Sequence, residues 1–164
     1  MEQRGTDDGR HETADERHDR NFNELLQELR VAQTGVQILV AFLLATAFTT
    51  TMQHAGAFPR VLLAGTLVVS ALSVALLIAP VALHRWLFQL HAKGLLVHLV
   101  SGLARAGLLL MMFAIAGACL LTLDAVLSRS VAVWLSAGVL VVFAALWVVL
   151  PLVLRRVHAS RTRG

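Results

Sequence analysis

The chain has 164 residues, of which 57% are hydrophobic and 15% are charged, and its formal net charge is +4. This apolar content exceeds that of soluble globular domains, so composition excludes an ordinary soluble domain and predicts a membrane protein. The basic balance does not indicate nucleic-acid binding, because the C-terminal arginines directly follow an apolar run and have no aromatic residues between them.

The N-terminal region is polar and precedes every long apolar run. Residues 1–20 carry many charges of both signs, so we expect a disordered cytoplasmic tail. Asn21 and Glu24 have the spacing of a helix capping box, and leucines recur at helical intervals after them. The sequence therefore predicts a short amphipathic helix that lies along the headgroups and runs into the first span.

Four apolar runs with few charged side chains follow. A helix rises about 1.5 Å per residue, so about twenty apolar residues cross a hydrocarbon layer of ~30 Å. The sequence thus predicts an all-α membrane protein with four transmembrane helices, at about residues 31–52, 60–83, 99–124 and 130–154. These helices form a predicted membrane domain over residues 21–157, and a basic cytoplasmic tail covers residues 158–164.

Basic residues are distributed unevenly between the two sides of this arrangement. Twelve lysines and arginines lie in the N-terminal segment, the central connection and the C-terminal tail, whereas Arg60 and Arg129 lie in the other connections. Cytoplasmic loops carry the basic excess, so both termini are predicted to be cytoplasmic in a bacterial cell membrane. A cytoplasmic interface with anionic lipid headgroups is predicted at His84, Arg85, Arg155 and Arg156.

The start of the first span is unusually polar. Gln27, Arg30, Thr34 and Gln37 recur at intervals of three and four residues, which aligns them in one stripe on a helix. Amides in hydrocarbon are costly unless they are hydrogen-bonded, so we expect the stripe to face other helices or a wet cleft. Both interpretations stay open: hydrogen bonds between helices, and the vestibule of a substrate path. The candidate membrane site comprises Glu28, Arg30, Gln33, Thr34, Gln37 and Asp124.

Asp124 is the last acidic residue of the chain and ends the third predicted span. A lone acid in a membrane can relay protons or bind a cation. The edge position also allows Arg129, five residues further on, to neutralise Asp124 across the turn. The sequence does not choose between these roles.

Two further patterns concern architecture. Ala71, Ala75 and Ala79 lie four residues apart and predict a small-residue stripe for close helix packing. Residues 80–85 and 151–156 each begin with proline and end with a basic residue, at an offset of 71. This similarity indicates either a two-fold parallel repeat or a chance match between leucine-rich segments.

The sequence shows no nucleophile with a neighbouring base, no metal-ligand cluster and no cofactor motif. We therefore expect a protein that is not an enzyme and has no cofactor. The leading interpretation is a structural or interaction bundle that contacts the lipid bilayer, further copies of itself or a membrane partner protein. The alternative is a small oligomeric proton- or sodium-coupled transporter that uses Asp124 with Gln33 and Gln37.

Residues 23–37, which read NELLQELRVAQTGVQ, and the apolar residues 39–44 carry a family resemblance. They resemble the opening of a family of small actinobacterial four-span membrane proteins of unknown function. The similarity covers roughly residues 20–155 and includes the His84-Arg85 pair and the acid at position 124. It implies the four-span fold without established catalytic or transport residues, although some relatives carry an automatic sodium:proton antiporter label.

Overall fold

A computed structural model describes residues 14–87 and 93–161, and these residues form helices and short connections without a β-strand. The helices are α1 (Ala14–Ala47), α2 (Thr50–Gln53), α3 (Ala57–Leu87), α4 (Lys93–Asp124), α5 (Arg129–Ala144) and α6 (Leu150–Arg161). Four segments of this structure are long and apolar enough to cross a membrane: Leu26–Ala47, Ala57–Leu83, Leu99–Asp124 and Arg129–Leu154. The prediction of an all-α, four-span protein is confirmed.

The N-terminal region differs from its prediction. Helix α1 begins at Ala14 and continues without interruption to Ala47, so the predicted disorder is wrong for residues 14–20. A helix that is already nucleated gains one hydrogen bond for each residue added, and Arg20 also approaches Glu24 at 3.9 Å across one turn. The amphipathic segment is therefore the N-terminal part of the first span helix. Residues 1–13 lie outside the described residues.

The first span also ends earlier than predicted. Helix α1 stops at Ala47, and Thr49 then accepts a hydrogen bond from the Met52 backbone N–H at 3.3 Å. This is the bond of an N-cap, so Thr49 starts the short helix α2 instead of extending α1. The other three spans have nearly the predicted bounds.

Helices α3 and α4 form the central pair of the structure. Helix α1 packs mainly against α3 and α5 packs against α4, while α5 has no comparable contact with α1 or α3 within the described residues. The fourth span therefore lies at one edge of the four spans, next to α4.

The buried face of α3 follows a seven-residue repeat. Its members recur at intervals of three and four residues, as expected for helices that cross at a small angle. The buried positions are Leu63, Thr66, Ser70, Ser73, Leu77 and Pro80. The predicted packing stripe is wrong, because Ala71 and Ala75 are exposed. Alanine methyl groups lose little by facing lipid, whereas hydroxyl groups need partners that other helices supply.

The fourth span contains a local irregularity before its proline. Residues Ala145–Val149 form a π-helical turn, in which the Leu150 backbone N–H donates to the Ala145 carbonyl. Pro151 has no N–H, so a regular helix would leave the carbonyl four residues earlier without a donor. Pro80, by contrast, lies within the α-helix α3. The two halves thus differ at their prolines, and the two-fold repeat stays a prediction.

Candidate functional site at the polar helix contacts

Gln33 is the polar residue of the first span that turns toward the other helices. Its side-chain Nε2 donates a hydrogen bond of 2.7 Å to the backbone carbonyl of Leu77 on α3. Leu77 is fully buried and packs with Leu29 and Val36 of α1. The amide therefore joins α1 to the backbone of α3 within an apolar cluster.

Pro80 lies close to this bond on α3. It has no N–H, so a regular helix leaves the Leu76 carbonyl, four residues earlier, without its backbone donor. The carbonyl that accepts from Gln33 belongs to Leu77, the next residue. The bond therefore lies beside the proline and does not replace the missing backbone donor.

Helices α3 and α4 approach each other closely at Gly107. The Ser73 hydroxyl donates to the Gly107 carbonyl at 2.8 Å, and both residues are buried. A Cβ atom added to Gly107 would lie 2.8 Å from Leu77 Cγ and 3.2 Å from the Leu77 backbone nitrogen. Only glycine fits this contact without displacement of α3.

A second close approach between α3 and α4 lies at Gly117 and Thr66. A Cβ atom at Gly117 would lie 2.5 Å from the Thr66 hydroxyl oxygen, and Thr66 is buried. The Ser70 hydroxyl one turn along donates to the Thr66 carbonyl at 2.8 Å. Hydroxyl groups and glycines thus line the α3/α4 contact over several turns.

Most of the predicted polar stripe faces away from the other helices of the chain. Gln27, Arg30, Thr34 and Gln37 are all exposed, and the side chain of Thr34 donates to the Arg30 carbonyl of its own helix at 3.0 Å. The stripe therefore lies outside the packed face of α1 within this chain, and its predicted position against other helices or a wet cleft stays a prediction. The apolar residues Leu29, Val36 and Leu43 provide the buried face of α1 instead, because they match the apolar surface of α3.

The two acidic candidates of the predicted site are far apart. Glu28 is exposed near the N-terminal end of the first span, whereas Asp124 is the C-terminal residue of the third span, which runs in the opposite sense between spans two and four. Arg129 forms a bidentate pair with Asp124, with distances of 3.1 Å to Oδ1 and 3.3 Å to Oδ2. Both carboxylate oxygens of Asp124 are thus occupied, which confirms the predicted neutralisation across the turn.

Arg129 makes an additional contact between the first turns of α5 and α3. Its guanidinium carbon lies 4.0 Å from the centroid of the Phe58 ring at the start of α3. A cation over an aromatic face is attracted by the ring quadrupole. Sequence reasoning missed this contact, because the two residues are distant in the chain.

The predicted cytoplasmic interface is described only in part. Arg156 is exposed on α6. The side chains of His84, Arg85 and Arg155 lie outside the described residues. Among residues 14–87 and 93–161, no three His, Cys, Asp or Glu side chains are grouped in a way that would hold a metal ion.

The interior hydroxyl residues were not singled out from the sequence. Thr66, Ser70 and Ser73 recur at intervals of four and three residues, which would have revealed one buried polar row. Ser136 on α5 is a related case: its hydroxyl is buried and has no hydrogen-bond partner among the described residues.

The chain matches the model of a known protein family. Residues 11–151 match DUF6328, described as a family of unknown function. No curated protein and no solved structure matches the chain. The match covers the polar N-terminal motif and all but the last residues of the fourth span. The protein therefore belongs to the DUF6328 family of unknown function.

Proposed function

We propose that this protein is a non-enzymatic structural or interaction unit of the bacterial cytoplasmic membrane, with both termini in the cytoplasm. Four helices of membrane-spanning length support the location in a bilayer. An even number of crossings returns the chain to its starting side, and the excess of basic residues in the termini and central connection supports a cytoplasmic position for them.

The observation that carries the proposal is how the buried polar groups are used. Gln33 donates to the Leu77 carbonyl, Ser73 donates to the Gly107 carbonyl and Ser70 donates within its own helix. The bonds of Gln33 and Ser73 join two helices, as polar contacts between packed membrane helices do. The bond of Ser70 lies within α3. A transport path requires polar groups that remain available to a solute.

The alternative function is a small oligomeric proton- or sodium-coupled transporter. Its candidate acid is Asp124, which lies at the end of a span and not at the centre of the membrane. Both oxygens of Asp124 accept bonds from Arg129. Of the three predicted transport residues, Gln33 is bonded to α3 and Asp124 to Arg129, which leaves Gln37 alone with an available side chain and does not favour this alternative.

A flux measurement tests the proposal. The purified full chain is reconstituted into liposomes that contain a pH-sensitive dye, and a proton or sodium gradient is imposed. We expect the gradient to decay at the rate measured in protein-free liposomes. Faster decay would overturn the proposal, and its loss in Asp124→Asn would establish the transporter.

The orientation has its own test. A green fluorescent protein fused to the C-terminus becomes fluorescent in the cytoplasm, whereas alkaline phosphatase at the same position becomes active outside it. We expect fluorescence without phosphatase activity. The reverse pattern would contradict the proposed topology.

A further inference from the structure

Helix α1 carries a second row of side chains that no helix of this chain covers. These residues recur at intervals of three and four, and all are exposed. We name them the α1 seam: Gln27, Arg30, Thr34, Gln37, Ala41 and Leu44, with Phe48 directly after the end of α1. The seam lies about a third of a turn from the buried face that contacts α3. Helix α1 can therefore contact α3 and one further helix at the same time.

Gln37 is the seam residue whose side chain requires a hydrogen-bond partner. It lies at the centre of the first span, Leu26–Ala47, where its exposed side chain meets hydrocarbon. Its amide has no hydrogen bond to any residue that the structure describes, whereas Thr34 is satisfied by the Arg30 carbonyl. Transfer of an amide into an apolar medium without a partner costs several kcal/mol, on the order of 2–7.

The surroundings of Gln37 suit a second helix. Ala41 follows on the seam one turn later, and its small side chain allows a neighbouring backbone to approach. Leu44 and Phe48 continue the seam with apolar surface toward the outer end. Arg30 lies near the cytoplasmic end of the span, where its long side chain reaches the headgroups.

We propose that the α1 seam binds a second copy of this chain in a parallel dimer, with Gln37 hydrogen-bonded to Gln37 of the partner subunit. Copies in one membrane share a topology, so their α1 helices run in the same direction. A two-fold axis places each seam residue opposite itself. An amide both donates and accepts, so Gln37 is complementary to its own copy. The inference names a partner for the interaction unit of the proposed function and rests on that proposal.

Disulfide cross-linking tests the contact directly. Cys119 is the only cysteine of the chain, so Cys119→Ala provides a cysteine-free background. In that background, Ala41→Cys lies on the seam, and Ala71→Cys is a matched control because Ala71 is also an exposed alanine within a span. We expect oxidation in lipid vesicles to convert Ala41→Cys to a covalent dimer at least tenfold faster than Ala71→Cys. Equal rates would overturn the proposal.

Energy transfer between donor- and acceptor-labelled full chains tests the role of the amide without a new cysteine. The labels are fluorescent proteins at the C-terminus, and the vesicles are diluted with lipid. We expect Gln37→Leu to weaken dimerisation by roughly threefold to twentyfold, the range of hydrogen bonds between membrane helices. Gln53→Leu, in the outer connection, is the matched control and should leave dimerisation unchanged. No transfer above random mixing, or an unchanged Gln37→Leu dimer, would overturn the proposal.

Different results would overturn the proposed function and the proposed dimer. A monomer in vesicles that dissipates no gradient would overturn the dimer and leave the proposed function intact. A dimer that conducts protons or sodium would overturn the proposed function and leave the α1 seam as the interface.

Discussion

The α3/α4 interface and the fourth span show opposite relations of a helix to its lipid surroundings. At the interface, Gly107 brings two backbones together and Ser73 bonds across the gap. The fourth span has the highest mean hydropathy of the four spans, yet within its described residues α5 buries only Ala132 and Ser136. The more apolar helix is therefore the less packed one.

The difference follows from the solvent. Lipid chains are as apolar as leucine, so an apolar side chain gains little when it leaves lipid for a protein surface. Trp134 on α5 is 78% exposed and needs no protein partner in a bilayer. Hydroxyl groups and amides gain hydrogen bonds when helices meet, and glycines allow the close approach. Packing thus concentrates where glycines and hydroxyl groups lie between α3 and α4.

The largest contrast should come from one leucine in each region. Leu77→Ala removes a fully buried side chain, and because packing is lost without transfer from water we expect a loss of about 2–3 kcal/mol in the free energy of unfolding. Leu146→Ala removes a side chain that is 56% exposed, so the change should stay within about 0.5 kcal/mol. Unfolding by SDS in mixed micelles, followed by circular dichroism, measures both. Equal losses would contradict the contrast.

Glycine substitutions should sharpen the contrast through overpacking. Gly107→Ala forces a Cβ to 2.8 Å from Leu77 Cγ, so we expect a loss of about 1–3 kcal/mol in stability. Gly138 on α5 has no atom within 4 Å of an added Cβ, and Gly138→Ala should be neutral or stabilise the helix by up to about 1 kcal/mol. The same SDS titration compares them. A Gly107→Ala protein as stable as wild type would show that the helices separate without cost.

The hydrogen bond between α1 and α3 should contribute less. Gln33→Leu removes the donor to the Leu77 carbonyl, and we expect a loss of about 1 kcal/mol in the free energy of unfolding. Gln37→Leu has the same chemistry at an exposed position and should not destabilise the monomer. Unfolding at a high ratio of detergent to protein, where the chain is kept monomeric, separates the two. The comparison fails if Gln37→Leu is the more destabilising.

The smallest loss of stability is expected from removal of the ion pair between Asp124 and Arg129. Asp124→Asn removes the charge that pairs with Arg129, whose side chain is 57% exposed, so the loss should be smaller than that of Gln33→Leu. Salt screens exposed charges, so the wild-type melting temperature should fall slightly as salt rises and that of Asp124→Asn should not. Thermal unfolding at low and high salt checks this. Identical salt dependence would show that the pair contributes nothing.

The candidate site was predictable only where chain neighbours decide the contact. The bidentate pair of Asp124 and Arg129 follows from a five-residue separation across a turn. The bond from Gln33 to Leu77 joins residues 44 positions apart, and no local pattern distinguishes Gln33 from Gln37. The sequence therefore does not show that Gln33 bonds to α3 while Gln37 stays exposed.

The sequence determines that lipid surrounds the helices, how many segments are able to cross the membrane and in which order they come. Insertion into lipid depends on the length and apolarity of each segment. The bounds of three spans also follow from their local sequence. The predicted end of the first span is wrong, because Thr49 begins a new helix there. The choice of buried faces required the three-dimensional arrangement. Lipid accepts almost any apolar face, so the contact of Ser73 with Gly107, and not hydrophobicity, decides which faces of α3 and α4 meet.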